Sequence, residues 1–177
     1  LDLAGSIKDA WDYDGFLIDP INSLRKDLRN TNGYEYSYEC LTDIRIFCKK
    51  YNISTWICCH AVTAALRAKH TPNHDFAGQP MPPSAGDAEN GSVNSNRADD
   101  FLIIHRYIFS PDSWMYTRLF VAKVKMQELG YKPTSYESPI MFKSILNNVG
   151  FEIGGKNLIE YKTKKQLTID NTRKDSK

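Results

Sequence analysis

Two short apolar runs with a helix-periodic segment between them constrain this chain more than any other feature. Phe16-Leu17-Ile18 is a continuous apolar stretch of the kind a central parallel strand buries on both faces, and Asp19-Pro20 stops it at once. Ile53 to Cys59, "ISTWICC", is β-branched and aromatic and ends at His60. Between them Tyr34, Tyr38, Leu41, Ile44, Cys48 and Tyr51 recur at spacings of three and four, one face of a helix that Asn52 ends. A strand, a crossover helix and a second strand make a parallel, right-handed βαβ unit.

Leu3 to Trp11 reads as the end of a helix broken by Gly15, and the chain opens without an initiator Met, as a fragment or a trimmed chain would. Residues 67–96 are rich in Pro, Gly, Asn and Ser and read as one long, mobile loop. Phe101 to Ile104 is a third strand closing at His105-Arg106, and Met115 to Lys125 alternates like a half-exposed strand. Short strands follow near Ile140-Phe142 and Phe151-Ile153, and from Lys162 the chain is a charged, flexible tail. The expected architecture is one α/β sheet over residues 1–161, with parallel central strands and antiparallel strands at its C-terminal edge. Ligands of such sheets bind beyond the carboxyl ends of the strands, here Asp19, His60 and the His105-Arg106 pair.

At 177 residues the chain is long enough for one domain with a real core. A net charge of +2 advertises no global field for nucleic acid, so any basic surface is local. No apolar run approaches the roughly 20 residues of a membrane helix, and no secretory leader is visible. The vicinal Cys58-Cys59 pair suits neither a zinc knuckle nor an ordinary disulfide, so buried free thiols in a reducing cytosol are expected. His70 and His74 are four apart, but Pro72 lies between them and no third ligand is near, which argues against a metal.

A carboxylate at the tip of a dry strand can take Mg²⁺, directly or through water, and the ion compensates its lost hydration. Asp19 could equally cap the turn that Asp-Pro starts. His60 ends the adjacent strand and so belongs on the same rim, where a polar side chain can sense a terminal phosphate; alone, it reads as an ordinary structural histidine. Lys123 and Lys125 sit at alternate positions of one strand and so on one face, where an anion would relieve their repulsion; a solvated edge would carry the same pattern.

Taken in order, these pieces resemble the C-terminal part of the RecA-like P-loop NTPase core of hexameric replicative DNA helicases, the DnaB-like and phage primase-helicase family. "FLIDP" resembles the Walker B strand, "STWICCH" the strand ending in a Gln or His phosphate sensor, and "GQPMPPSAGDAENGSVNSNRADDFLIIHR" the segment with an Ala-Asp before a strand and an Arg. "VAKVKMQELGYKP" resembles the Lys-x-Arg hairpin. The resemblance implies ATP and Mg²⁺ in the full-length parent, Asp19 as the Mg²⁺-associated carboxylate and His60 as the γ-phosphate sensor. It implies that Asp99, or Asp100 beside it, matches the Ala-Asp, that Arg106 is the Arg after the strand, and that Lys125, with Lys123 its companion, stands in the arginine-finger position. It further implies a ring of identical subunits, a cytoplasmic setting in a bacterial or phage-infected cell, and single-stranded DNA in the channel. The DNA-facing loops would carry Arg25, Lys26 and Arg29, then Arg67 and Lys69, then Asn94, Asn96 and Arg97; Arg25 to Arg29 reads equally well as a solvated helix face.

The sequence departs from that pattern twice. A Lys stands where the family has an Arg, giving the charge without the bidentate fork. No G-x-x-x-x-G-K-[ST] occurs, "GGKN" at 154–157 lacking its first half, and no upstream Glu is a candidate catalytic base. The implied function is therefore part of an ATP-dependent helicase motor rather than a self-sufficient ATPase. Another RecA-like ATPase (a recombinase, or a phage repair or packaging motor) and a non-catalytic nucleic-acid-binding assembly module are the alternatives.

Overall fold

The computed structural model describes residues 1–24, 32–89, 91–145 and 149–159. These fall into two compact units: Leu1–Ala68 with Pro83–Phe101, and Lys69–Pro82 with the described residues from Leu102 onward.

In the first unit, α1 (Asp2–Ala10) leads to β1 (Gly15–Ile18), and α2 (Gly33–Tyr51) crosses over to β2 (Ser54–Ile57). The two strands pair in parallel with Gly15 opposite Ser54 and Ile18 opposite Ile57. Gly15 is required there, because a Cβ would stand 2.8 Å from the Ser54 carbonyl oxygen. α2 begins at a reciprocal cap: Asn32 Oδ1 accepts from the Tyr34 and Glu35 amides, and Glu35 accepts from the Asn32 amide. Asn52, in the left-handed conformation, ends it. Leu41 and Ile44 bury their side chains against Val93 of α4 (Val93–Arg97), with Ile18, Ile57, Cys40 and Cys48 packed around them.

The buried stripe of α2 is Ser37, Leu41, Ile44 and Phe47, not the expected one, since Tyr34 and Tyr38 are exposed. Tyr38 is retained at the surface by Arg97, whose guanidinium lies 3.6 Å from its ring centroid. β1 and β2 are also not covered on both faces. Phe16 meets Phe47 edge-on at 5.8 Å, whereas the cross-strand partners Leu17 and Trp56 on the opposite face are 59% and 62% exposed.

The second unit holds a separate sheet of β3 (Phe101–His105), β4 (Tyr116–Lys123), β5 (Ile140–Ile145), β6 (Gly150–Ile153) and β7 (Lys156–Asn157), in that order. Pairing from β4 onward is antiparallel. The expectation of one sheet is thus corrected to two, because β3 is ordered next to β4 instead of extending the parallel pair. The segment 67–96 is not a structureless loop either. α3 (Thr63–Arg67) precedes it, antiparallel bridges join Lys69 to Pro80 and Ala61 to Ala88, and a 3₁₀ turn spans Ala85–Asp87. Its few apolar residues are well placed: Val93 is 1% exposed. Among the described residues no helix is long and apolar enough to cross a membrane.

Ile44→Ala is expected to lower the unfolding free energy by about 2–5 kcal/mol, while Ile46→Ala, on the 60%-exposed side of the same helix, changes it by about 0.5 kcal/mol or less. Urea unfolding followed by circular dichroism checks the pair.

Candidate functional site

The parallel register sends both strands of the first unit out at one end. The ladder runs one residue past the strands: the Cys58 amide donates to the Ile18 carbonyl and the Ile21 amide to the Cys58 carbonyl, both at 2.9 Å. Asp19 follows Ile18 and His60 lies two residues past Cys58, so both stand on the same carboxyl rim, and both are exposed. The second strand ends at Ile57 rather than at His60, which places His60 in the connection beyond it.

Asp19 is in hydrogen-bonding contact with the Cys58 thiol. Burial, the Asp19 charge and that hydrogen bond all push the Cys58 thiol up, so it stays neutral and leaves the negative charge on the carboxylate. Burial, then Cys58 and Glu89, raises the Cys59 thiol in the same sense. The cysteines are free, as expected, but none is fully buried and Cys58 is exposed. Behind the rim, Asn22 Oδ1 accepts from the His60 amide at 3.2 Å, and the Glu89 amide donates to the His60 carbonyl at 2.9 Å. Asn22 Nδ2 donates to the Glu89 carboxylate. An exposed carboxylate offering hard oxygens at a strand end fits Mg²⁺, which keeps several waters and takes one or two carboxylates together with phosphate oxygens. Among the described residues no group of three or more His, Cys, Asp or Glu side chains encloses a metal by itself.

The other sequence-chosen residues are scattered. Asp99 pairs with Arg45 of α2 at 2.9 Å, and Asp100 is exposed beside it. Asn94 is 8% exposed and its amide donates to the Glu89 carbonyl at 2.7 Å, so it holds the fold instead of facing a nucleic acid. Arg97 leans on Tyr38 and donates to Thr42 Oγ1; Asn96 and Arg67 are exposed. Lys69, Arg106, Lys123 and Lys125 belong to the second unit. Lys69 is exposed at its bridge to Pro80, and Arg106 donates to the Trp114 carbonyl at 2.7 Å. Lys123 and Lys125 do not share a strand face, because β4 ends at Lys123 and Lys125 lies in the bend beyond. Arg25, Lys26 and Arg29 lie outside the described residues. "GGKN" is a hairpin: Gly154 and Gly155, at φ +54° and +77°, turn β6 into β7, so it cradles no phosphate.

Sequence reading missed a cluster in the second unit. His70 and His74 stack face to face at 3.8 Å, His70 Nε2 meets the Tyr107 hydroxyl at 2.7 Å, and Phe76 stacks on Tyr107 at 3.7 Å. Arg118 lies 4.7 and 4.5 Å from the Phe76 and Tyr107 ring centroids. Its only sequence signal was the i, i+4 histidine pair.

Compared with known proteins, no family model matches the chain, and neither does any curated protein. Among solved structures it is similar to the ATPase domain of a DnaB-like helicase, at TM-score 0.62 and 10% identity, over 85% of this chain and 48% of that one. The likeness is one of fold, and the chain spans about half the length of the structure it matches. The fold is thus mixed α/β, with a parallel and an antiparallel sheet, related in shape to an ATPase domain.

Burial and the Arg118 charge hold the His105 imidazole down at about 4, against an opposing backbone hydrogen bond with Pro80; His70 adds a little in the lowering direction. Between that value and its ordinary 6.5 the unfolded chain binds a proton that the folded one refuses. Stability should therefore fall as pH drops from about 6.5 to 4, by about 1–2 kcal/mol once the ring's partial exposure is discounted. His105→Gln should flatten that slope in urea titrations run across the same pH range.

Proposed function

We propose that this chain is the C-terminal part of a RecA-like ATPase motor of the replicative DNA helicase type, which hydrolyses ATP while moving along single-stranded DNA. The observation that carries the reading is the shared exposed rim of Asp19 and His60, set by a parallel strand pair in a fold similar to an ATPase domain. Asp19 holds Mg²⁺ directly or through water, and bound MgATP supplies the phosphate whose cleavage drives movement. His60 hydrogen-bonds the terminal phosphate and loses that partner after cleavage. The phosphate-cradling loop is to be supplied by sequence outside these 177 residues. Lys125, with Lys123 beside it, presents a point charge to the nucleotide of a neighbouring identical subunit in a ring.

Single-stranded DNA is tracked through its backbone by exposed basic and amide groups. Arg67, Lys69 and Asn96 are exposed and suit that role; Arg25, Lys26 and Arg29 are assigned to it on sequence alone. Asn94 drops out, since its amide is committed inside the fold.

In the full-length protein, Asp19→Asn should weaken Mg²⁺-dependent ATP hydrolysis by about 10- to 100-fold. His60→Ala should spare nucleotide binding yet lose the stimulation of hydrolysis by single-stranded DNA. Equal turnover by the unmutated protein with and without single-stranded DNA would sink this reading.

A further inference from the structure

Asn22, Glu89 and the backbone of His60 close a ring of hydrogen bonds that neither metal nor phosphate binding requires. Asn22 lies in the 3₁₀ turn Ile21–Ser23, three residues past Asp19. Its carbonyl oxygen takes the His60 amide and its NH₂ group takes the Glu89 carboxylate. Glu89 then returns to the His60 carbonyl through its own amide. The peptide units on both sides of His60 are thus gripped by residues from two other segments, and those residues grip each other. The Asn22–Glu89 contact is half-buried and involves an ionised acceptor, the stronger kind of hydrogen bond.

The connection continues in one direction. The Glu89 carbonyl accepts from Asn94 Nδ2 at 2.7 Å, and Val93 beside it is the most buried side chain of the first unit, packed against Leu41 and Ile44 of α2. Arg97, at the other end of α4, is held by Tyr38 and Thr42, and exposed Asn96 precedes it. The segment 88–97 is therefore short, densely bonded and anchored at both ends. If His60 shifts when its phosphate partner leaves, Asn22 and Glu89 must shift with it or break their bonds, and α4 is the next element in line.

We infer that Asn22 and Glu89 are positioning residues that couple the state of His60 to α4 and so to the nucleic-acid-facing residues at its end. The inference rests on the motor reading given above. Neither residue touches the reacting atoms; they act through the His60 backbone. A purely structural clamp would raise stability and leave coupling alone, so the readout that matters is DNA stimulation at constant nucleotide affinity.

The test is steady-state ATP hydrolysis by the full-length protein, with and without oligo(dT), for Asn22→Ala, Glu89→Ala, Glu89→Gln and Asn22→Asp. Both alanine variants should keep the basal rate and the KM for ATP and lose DNA stimulation by about 5-fold or more. Glu89→Gln keeps an oxygen to accept from Asn22 and should restore stimulation. Asn22→Asp keeps the size and the acceptor for the His60 amide but sets two carboxylates together, so it should lose stimulation even if an alanine variant fails to fold. Stimulated alanine or aspartate variants beside a stimulated unmutated protein would overturn the coupling alone. A Gln variant as impaired as the Ala variant would do the same. An unmutated protein without stimulation would overturn the motor reading and the coupling together.

Discussion

The ladder from Gly15 opposite Ser54 to Ile18 opposite Ile57 is the constraint on which the rim depends. Side chains alternate along a strand, so a slip of one residue would turn Phe16, Ile18, Thr55 and Ile57 away from α2 and carry Asp19 to the other face. Three contacts from α2 oppose the slip. Phe47 meets Phe16 edge-on, Cys48 Sγ stands 2.9 Å from Thr55 Oγ1, and Ile18 and Ile57 pack against the Leu41–Ile44–Val93 cluster. The absent Cβ of Gly15 lets the strands close at their first pair. The crossover helix thus determines which residues stand at the rim, although it contributes none of them.

That placement accounts for an apolar strand that stops at an acid. Asp19 is not buried at the strand's end; it emerges into solvent there, so the fold does not impose the desolvation that burial would. Its neighbours then set its character. The Cys58 thiol beside it is kept protonated, so the carboxylate faces outward as the ionised oxygen donor that a hard cation prefers. Behind it, Asn22 and Glu89 occupy each other and the His60 backbone, leaving the imidazole side chain to face solvent.

The βαβ unit was legible because its signals are local. Period 3.6 over Tyr34 to Tyr51, Asn52 as a stop and β-branched Ile53 to Ile57 all lie within a few turns of one another, and the structure places α2 and β2 within a residue or two of the reading. What failed depended on pairing at long range. Phe101–His105 reads like another parallel core strand, yet it lies beside β4, and no residue within it announces that choice. Val93 and Asn94 sit in a polar stretch that resembles a loop, and only their burial against α2 reveals a helix. The helix face itself was misjudged at Tyr38, because an arginine far along the chain makes that ring comfortable at the surface. At the rim, Asp19 and His60 could be chosen from strand ends alone, whereas Asn22 and Glu89 could not. Their contact spans 67 residues, and nothing in either local sequence points to the other.

The account stands on Asp19 and His60 reaching one metal-bound phosphate. The most direct measurement is paramagnetic broadening of the His60 ring resonances in the full-length protein by Mn²⁺–ATP, the manganese standing in for magnesium. The account predicts that His60 broadens on adding Mn²⁺–ATP and that Asp19→Asn abolishes the effect while nucleotide still binds. A His60 signal that stays sharp with Mn²⁺–ATP bound would contradict it.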